Sequence, residues 1–531
     1  MDRKRGIVPR KINGFRDIDP NLNHIKQNII EAASKVYRLY GFEHWDTPAI
    51  EYAENLGKYM PDTDTIGQGV YSFRNPETEP VLMANGKELR DGSNKVVMDN
   101  HFLSLRYDLT APLARHYAEE TWQQSLRGQL TPDNAPLFRR FQFGPVYRFE
   151  AKLDPGRFRE FWQLDFDTVG TKDVSADAEV CMVLSDALEA IGLKRGTYVV
   201  KVNNRKILKG LLHTLGIDTE EMEQDILRVV DKYDKIGIYG VKAELGKERK
   251  DESGAIITGL NLDQAIVDGI ISFLEILSET DSNGFPLLEA KKDLSRASIL
   301  QKLKLHLKDS EIGNEGIEEL TKINGILTRL GYDEERVIFD PTLVRGMAYY
   351  TGPIFEVESK QSYKDEKGRE RRVGSICGGG RYDGLVKNLN GVAVPATGAS
   401  IGVDRLAELL MLTNQVPNKV QGPVFIAVFD DELMPEYQKI AAELRENNIA
   451  TEIYYGSSKG MKKQFKYADK RNASLAIMLG SDEAERGVVS VKDLILGRQS
   501  FEIQDRDEWK KRIQSEVKRE DLVSFIRKKL T

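Results

Sequence analysis

The sequence predicts an α+β fold, in which a mostly antiparallel sheet is flanked by helices and a smaller α/β unit follows along the chain. Three observations support this prediction. Residues 138–169 alternate polar and apolar side chains around a charged loop, and residues 350–380 join the β-rich run TGPIFEVES to the returning stretch VGSICGGG through a solvated loop, which is typical of paired strands. Residues 205–325 contain several runs with helical periodicity, which predicts a mostly helical segment. From Gly422 onward, short apolar runs alternate with helical segments, as in α/β units.

The composition excludes several classes of protein. With 40% hydrophobic and 30% charged residues among 531, the chain has an ordinary globular balance and is not intrinsically disordered. Its apolar runs are far shorter than the roughly 20 residues that a membrane span needs, and no apolar segment follows the basic N-terminus as in a secretory signal. Cys181 and Cys377 lack metal-type spacing, so we expect no zinc site or disulfide framework and a reducing, cytoplasmic location. The formal net charge of −6 argues against nonspecific coating of nucleic acid but leaves local basic patches possible.

The N-terminal region predicts a helix and then a strand. Apolar side chains recur at helical spacing over residues 21–40, and Gly41 is placed to end this helix. Phe42–Thr47 has the composition of a strand. Because proline is favoured in the first turn of a helix, we expect a second helix to begin at Pro48.

Residues 138–169 predict a hairpin with one polar face. The turn AKLDPGR contains a Pro-Gly pair, and alternate residues of the returning strand REFWQLDFDTVG share a face. One face carries Arg159, Phe161, Gln163, Asp165 and Asp167, and the other carries Trp162, Leu164 and Phe166. On the outgoing strand, Arg148 and Glu150 share a face. A surface that gathers cations, carboxylates, an amide and a ring is costly to bury and suits a polar ligand.

Texture changes along the chain predict four segments. Residues 1–204 form the first part of the main domain, residues 205–325 a mostly helical insertion, and residues 326–415 the second part of the main domain. This second part holds the pair at 350–380 and a helix in GVDRLAELLML. Residues 422–531 form the C-terminal α/β unit.

Three arginines flank the tight turn of the hairpin, at positions 148, 157 and 159. Guanidinium groups match phosphate oxygens in geometry and stay charged at any physiological pH, so contact with phosphate oxygens is expected. The alternative is a surface hairpin held by ion pairs. That alternative leaves Gln163 and Asp167, on the same face, without an explanation.

Five stretches together resemble the class II aminoacyl-tRNA synthetases and, within that class, the histidyl-tRNA synthetase family. GPVYRFEAKLDPGRFREFWQLDFD is similar to the second motif of the class, GASIGVDRL to the third, and Gly41–Pro48 to the first, which lies in the dimer interface. LVRGMAYYTG and GGGRYDGL are similar to the two stretches of the histidine-specific branch. The resemblance implies the class II antiparallel sheet, a helical insertion, a C-terminal anticodon-binding domain and a homodimer.

The resemblance also implies an ATP site. Arg148 would contact the α-phosphate, and Arg345 would reach the amino-acid carboxylate and the same phosphate; these two are the predicted catalytic residues. Arg157 and Arg405 would contact the outer phosphates and adenosine, while Glu150 would accept a hydrogen bond from adenine and Phe161 would stack on it with Arg405. No GxxxxGK[ST] loop is present, so we expect side chains and a Mg²⁺ ion accompanying ATP to handle the phosphates, with no metal ligands from the protein.

The family's histidine contacts map onto a second group of residues. Asp167 and Tyr350 would contact the imidazole, while Asp108, Thr110 and Gln163 would hold the α-amino group; Tyr349 and Tyr382 would complete the wall. Core packing remains the alternative for any single tyrosine, and a helix or turn cap for Asp108. The chain departs from the family at Ala348, where an acidic residue is usual, and this leaves the placement of the tyrosines open.

Two further motifs have alternative interpretations. GGGRYDG lacks the GxGxxG order of a dinucleotide-binding loop, so its glycines are expected to allow close approach of backbone to ligand. In the C-terminal unit, Lys459, Lys463, Lys466 and Lys470 step by four, three and four, which predicts one basic stripe on a helix. The resemblance to an anticodon-binding domain favours contact with tRNA phosphates, and a solvated helix face is the alternative.

The function implied is ligation of histidine to tRNA. Histidine and ATP would form histidyl-adenylate and pyrophosphate, and the histidyl group would then move to the terminal adenosine of tRNA-His. Catalysis of this kind needs positioning and electrostatic stabilisation rather than a protein nucleophile. The alternative is a catalytically silent paralogue that senses histidine or regulates another enzyme. The retained arginines, histidine-pocket residues and anticodon-type unit argue against this alternative.

Overall fold

The computed structural model describes residues 8–57, 69–83, 86–149, 157–250, 256–276, 295–344, 350–365, 367–416, 420–456, 460–499 and 512–530. The chain divides into two compact units, Met1–Val416 and Pro417–Thr531. Within these described ranges, none of the helices combines the length and apolar character needed to cross a bilayer.

The helices of the first unit are listed here in chain order. They are α1 Pro20–Leu39, α2 Ala53–Gly57, α3 Thr110–Leu126, α4 Ser175–Ile191, α5 Arg205–Thr214, α6 Glu220–Val230, α7 Tyr233–Leu245, α8 Gln264–Glu275, α9 Arg296–His306, α10 Glu311–Arg329, α11 Lys387–Asn390 and α12 Val403–Leu412.

The strands of the first unit follow the same order. They are β1 Glu43–His44, β2 Ile50–Tyr52, β3 Ser72–Arg74, β4 Glu79–Pro80, β5 Met98–Asp99, β6 Phe102–Leu105, β7 Phe138–Tyr147, β8 Glu160–Val169, β9 Tyr198–Asn204, β10 Glu248–Lys250, β11 Ile256–Thr258, β12 Val337–Phe339, β13 Pro353–Ser359, β14 Ser362–Lys364, β15 Glu370–Arg372, β16 Ser375–Arg381 and β17 Ala396–Gly402.

The predicted N-terminal helix is confirmed, and the predicted helix at Pro48 is wrong. α1 is capped by Asp19, whose side chain accepts from the backbone N–H of Asn21 and Leu22, and it is followed by Gly41 at φ +81°. After Pro48 the chain forms strand β2, which pairs antiparallel with β6. The backbone hydrogen bonds of that pairing, together with the β-branched and aromatic side chains of Ile50 and Tyr52, outweigh the local preference of proline for a helix start.

A mostly antiparallel eight-stranded sheet forms the centre of the first unit, as predicted. Its strand order is β1-β7-β8-β17-β16-β13-β9-β12. The pairs β1/β7 and β9/β12 are parallel, and the pairs between them are antiparallel. The predicted pairs at 138–169 and 350–380 correspond to β7/β8 and β13/β16.

The two faces of β8 have opposite environments, because successive side chains of a strand point to opposite sides. Leu164 and Phe166 are almost fully buried in the main hydrophobic core, where Phe166 packs against Tyr37 of α1 at a ring separation of 4.8 Å. The alternate residues form the wall of a cavity, described below. One side of the sheet therefore carries the core, and the other is free to bind a ligand.

The stretch from Arg205 to Arg329 is mostly helical, as expected, and contains helices α5–α10 with a small β10/β11 hairpin. Its helices share the main hydrophobic core with the sheet: Ile207 of α5 and Ile317 of α10 are both buried in it. Helix α10 continues through residue 325 to Arg329. The division of the first unit at residues 204 and 325 stays a prediction.

The second unit has the alternating α/β pattern that the sequence predicts. Its elements are β18 Val424–Ala427, α13 Met434–Glu446, β19 Thr451–Ile453, α14 Met461–Lys470, β20 Leu475–Met478, α15 Ser481–Glu485, β21 Val488–Asp493, α16 Leu494–Gln499, β22 Gln514–Lys518, a 3₁₀ turn Arg519–Asp521 and α17 Leu522–Leu530. The sheet order is β19-β18-β20-β21-β22, with the first three strands parallel. This unit has its own hydrophobic clusters on the two sides of the sheet.

Candidate active site

A cavity of about 340 Å³ lies on the polar side of the central sheet. Strands β8, β16 and β17 contribute much of its lining, with residues from the start of α3 and α12. Ten of the predicted site residues line it: Asp108, Thr110, Arg148, Arg157, Phe161, Gln163, Asp167, Tyr350, Tyr382 and Arg405. These residues are spread over almost 300 positions of the sequence, and the fold brings them to one cavity.

Four other residues that the sequence analysis singled out in the first unit are not among those lining residues. Glu150, Arg345 and Tyr349 lie outside the described residues. Arg159, expected on the polar face of β8, precedes the strand and does not line the cavity. Its guanidinium stacks 4.1 Å from the ring centroid of Phe149 and donates to the carbonyl of Asn13. The alternation that placed it with Phe161 begins only where strand pairing begins.

Small residues on β17 make room opposite the polar residues of β8. In the antiparallel register Gln163 faces Gly402, Asp165 faces Ser400, and Asp167 faces Gly398. A Cβ at position 398 would overlap the Oδ1 atom of Asp167 and the backbone oxygen of Phe166, so only glycine fits there.

Asp167 belongs to a buried polar cluster that the sequence analysis identified only in part. Its Oδ2 lies 2.9 Å from Nη2 of Arg140, and its Oδ1 accepts a hydrogen bond from the hydroxyl of Tyr382. Arg140 also donates to the carbonyl of Leu109 at 2.8 Å. Burial raises the pKa of Asp167 above its usual range, and Arg140 and Tyr382 oppose this shift. Arg140 was not identified from the sequence, although it lies directly opposite Asp167 in the hairpin register.

Asp165 is a second buried carboxylate of the cavity wall. It is 2% exposed, and burial together with the neighbouring Asp167 raises its pKa to about 7, against the opposing effects of Arg140 and a hydrogen bond with Ser400. The Ser400 hydroxyl also accepts from Nε2 of Gln163 at 2.9 Å. Polar alternation along β8 pointed to Asp165, but nothing local indicated its altered acidity.

Asp108 has the two properties that the sequence analysis weighed as alternatives. Its Oδ1 accepts from the backbone N–H groups of Thr110 at 3.1 Å and Ala111 at 2.9 Å, which stabilises the first turn of α3. The residue also lines the cavity. The cap holds the carboxylate in one orientation at the cavity wall.

The cations Arg148, just after β7, and Arg405, in the first turn of α12, both line the cavity. Nε of Arg148 donates to the carbonyl of Tyr107 at 3.0 Å, and its guanidinium lies 4.3 Å from the ring centroid of Tyr107 and 5.3 Å from that of Phe161. Nη1 of Arg405 donates to the carbonyl of Ser375 at 2.6 Å. These contacts orient both guanidinium groups without neutralising their charge, which suits an anionic ligand.

Asp404, next to Arg405 in the chain, was not identified from the sequence. Its Oδ1 accepts from Arg16 at 2.8 Å and from Lys26 at 3.0 Å, and its Oδ2 accepts from the backbone N–H of Trp162 at 2.6 Å. Asp404 therefore joins the first turn of α12 to α1, to the segment before α1 and to β8. Because its two cationic partners lie 378 or more positions away, only the folded structure reveals it.

The cavity wall includes one cysteine, Cys377, which is fully buried as a free thiol. Burial raises the pKa of this thiol well above its usual value, so it stays protonated and is a poor nucleophile. Across the described part of the chain, no group of three His, Cys, Asp or Glu side chains is arranged to hold a metal ion.

The basic stripe of the second unit is present in part. Lys463, Lys466 and Lys470 are exposed on α14, whose opposite side buries Gln464 and Ala468. Lys459 lies outside the described residues and before the helix, which begins at Met461.

Comparisons with known proteins agree for both units. The family model "Histidyl-tRNA synthetase" matches residues 77–406, and "Anticodon binding domain" matches residues 423–529. A histidine–tRNA ligase of Ruegeria sp. is 42% identical over 99% of this chain and 96% of its own length. A histidine–tRNA ligase of Paracoccus denitrificans is 43% identical over 97% of this chain and 96% of its own length. The crystal structure of histidyl-tRNA synthetase from Nostoc sp. PCC 7120 is similar with a TM-score of 0.67 and 27% identity, covering 98% of this chain and 100% of that one.

Proposed function

The chain belongs to the histidyl-tRNA synthetase family and is an ATP-dependent histidine–tRNA ligase, and we propose that the cavity of the first unit is where it activates histidine. In activation, a carboxylate oxygen of histidine bonds to the α-phosphorus of ATP as the bond to the β-phosphate oxygen breaks, which releases pyrophosphate. A hydroxyl of the terminal adenosine of tRNA-His then attacks the carbonyl carbon of the adenylate, and AMP leaves.

The convergence of Arg148, Arg157 and Arg405 on one cavity is the observation that carries this proposal. Carboxylate and triphosphate repel each other, and negative charge spreads over the phosphoryl oxygens in the transition state. Fixed guanidinium groups offset both effects. Arg148 would contact the α-phosphate, while Arg157 and Arg405 would contact the outer phosphates and adenosine. Arg345, which precedes the cavity residue Tyr350 by five positions in the sequence, is the second proposed contact to the α-phosphate.

We assign the adenine and histidine ends by the order of residues along β8. Phe161, at the Arg148 end, would stack on adenine with Arg405, and Glu150 would accept from the base. Gln163, Asp108 and Thr110 would then hold the α-amino group. Asp167, Tyr350, Tyr382 and Tyr349 would surround the imidazole. A buried polar site of this kind rejects apolar analogues, because they leave its hydrogen-bonding groups unpaired.

Mg²⁺ would enter with ATP and offset phosphate charge. The described residues offer no cluster of three ligand side chains, and Asp404, an acidic residue of the cavity wall, is already bound to Arg16 and Lys26. We therefore propose that the phosphates and water, rather than a protein cage, coordinate the ion.

Histidine-dependent exchange of pyrophosphate into ATP tests the proposal. The purified chain is expected to catalyse exchange with histidine and not with phenylalanine or glutamine. Absence of exchange would favour a catalytically silent, histidine-sensing or regulatory paralogue. Against that alternative stand the three arginines at the cavity and the anticodon-binding unit.

The exposed lysines of α14 are proposed to contact tRNA phosphates. Replacing Lys459, Lys463, Lys466 and Lys470 with glutamine is expected to raise the KM for tRNA-His and leave pyrophosphate exchange unchanged. It should also flatten the dependence of log KM on log salt by about 3, since each lost phosphate contact contributes roughly 0.7–0.9. Aminoacylation measured between 50 and 200 mM salt checks this.

A matched control replaces four exposed basic residues elsewhere in the same unit, namely Lys439, Arg486, Lys518 and Lys528. The control should leave the KM for tRNA near the wild-type value. Equal losses in both variants, or a parallel loss of exchange, would mean that the lysines of α14 act only through solubility or stability.

A homodimer in the cytoplasm is proposed for the intact protein. Strand β1, from the motif that resembles the dimer interface, is at the edge of the central sheet. Leu39 precedes this strand in the sequence and is 86% exposed, Trp45 follows it and is also exposed, and Leu137, just before the neighbouring strand β7, is 64% exposed. Exposed apolar side chains of this kind support a surface that a second copy of the chain covers. Replacing Trp45 with arginine is expected to shift sedimentation from dimer to monomer, and an active wild-type monomer would contradict the proposal. The two free, buried cysteines fit a reducing compartment.

A further inference from the structure

Asp165 is a buried carboxylate of the cavity wall to which the ligand contacts proposed above assign no role. Its side chain is 2% exposed, and its Oδ1 has no hydrogen-bond partner among the described residues. A buried carboxylate oxygen without a partner is costly, and a native protein retains one mainly where a ligand or a proton completes it.

Two carboxylates and one close cation face Asp165. Asp167 on the same strand and Asp108 just before α3 both disfavour its ionised form, and all three carboxylates line the cavity. Arg140 on β7 is the close cation that favours the ionised form of Asp165. A weaker Coulomb attraction joins Asp165 to Arg106. The buried Tyr37 hydroxyl of α1 and the Cys377 thiol are neutral, and the Ser400 hydroxyl on β17 hydrogen-bonds the carboxylate.

The remaining hydrogen-bonding capacity differs between the two carboxylates of β8. Asp167 has one oxygen beside Arg140 and the other bound to the Tyr382 hydroxyl. Asp165 is connected through Ser400 to Gln163, a residue of the proposed α-amino site. Among the described residues Asp165 Oδ1 has neither a hydrogen bond nor an ion pair, whereas Asp167 Oδ2, which also lacks a hydrogen bond, lies 2.9 Å from Arg140.

We propose that Asp165 is a second carboxylate of the histidine site, whose ionised form binds the α-ammonium group of the substrate together with Asp108. This inference rests on the proposed function of the cavity and extends it. The ammonium group carries three N–H donors, which the side-chain oxygens of Asp108, Thr110, Gln163 and Asp165 would share.

The inference makes histidine binding depend on pH with a definite sign. Because the pKa of Asp165 is raised to about 7, the side chain is mostly protonated at pH 6 and mostly ionised at pH 8. The ammonium group binds the ionised form, so binding releases a proton from the protein below pH 7. The affinity for histidine should therefore rise about tenfold from pH 6 to pH 8, beyond any change due to titration of the ligand itself.

Isothermal titration calorimetry of the full chain with histidine, without ATP, tests the inference. Asp165→Asn should weaken binding about tenfold at pH 8, the size expected for loss of a charged hydrogen bond, and by no more than about threefold at pH 6. In pyrophosphate exchange the loss should appear as a raised KM for histidine that exceeds any fall in kcat. A purely structural role for Asp165 would lower kcat and stability together and leave the pH profile parallel to wild type.

Asp186→Asn serves as the control, since Asp186 is a partly buried carboxylate bound to the Tyr40 and Tyr332 hydroxyls outside the cavity. Equal affinity of wild type and Asp165→Asn at pH 8, or parallel pH profiles, would overturn the inference. If the asparagine variant does not fold, Ser400→Ala decides: loss of the hydroxyl that favours ionised Asp165 should move the midpoint of the pH profile upward, and an unmoved midpoint would overturn it. Binding of histidine is measured independently of exchange, so an inactive wild-type protein would count against the proposed function alone.

Discussion

Replacing Arg148 with alanine is expected to lower kcat/KM for histidine-dependent pyrophosphate exchange by about 10²–10³, the usual cost of removing one fixed donor to a developing oxyanion. The guanidinium is held by the Tyr107 carbonyl and by the rings of Tyr107 and Phe161. It is therefore positioned before substrate binds.

Two variants make the result specific. Arg148→Lys retains the charge but not the planar pair of donors, and should fall between alanine and wild type. Arg159→Ala removes an arginine of the same segment that stacks on Phe149 outside the cavity, and should leave exchange within about twofold. An Arg148→Ala enzyme with normal exchange would remove this residue from the α-phosphate contact.

Replacing Arg140 with methionine is expected to lower the free energy of unfolding by about 3–5 kcal/mol, because it leaves buried carboxylates without their cation. Arg140 is 1% exposed, and Asp167, its partner, is 3% exposed. Urea unfolding followed by tryptophan fluorescence measures the loss. Arg139→Met is the control: Arg139 pairs with Glu179 at the partly exposed edge, where an ion pair contributes about 1 kcal/mol or less.

The loss at Arg140 should grow with pH. Arg140 holds down the pKa values of Asp165 and Asp167, and without it both rise further. The folded state then keeps protons that the unfolded state has released, so stability falls as pH rises from about 4 through the raised pKa values. The destabilisation should be larger at pH 8 than at pH 5, and equal losses at both would contradict the buried cluster as its cause.

Local patterns predicted the elements that build the site. Alternation along β8 separated the cavity residues Phe161, Gln163 and Asp167 from the core residues Leu164 and Phe166. Such a pattern is reliable because strand geometry alone decides which residues share a face. It was wrong at Arg159, which precedes the paired strand, and the preference of proline was wrong at Pro48, where pairing with β6 decides the backbone.

The family motifs predicted which residues meet, and ten of them do line one cavity. They did not identify Arg140, Asp165 or Asp404. Asp165 lies on β8 two residues before Asp167, and Arg140 lies opposite Asp167 on β7. Their electrostatic role comes from burial, which a local sequence pattern does not reveal. Asp404 was also not identified, because its ion-pair partners Arg16 and Lys26 come from the other end of the first unit.

The amino-acid sequence by itself determined the order of helices and strands, the polar face of β8, the separate C-terminal α/β unit and the membership of a family, because each depends on residue types and their spacing along the chain. Only the tertiary structure decided the electrostatics of the site. Burial raises the pKa values of Asp165 and Asp167, and Arg140 opposes this rise. Desolvation and Coulomb interactions act through space, and the distances that set them exist only once the chain has folded.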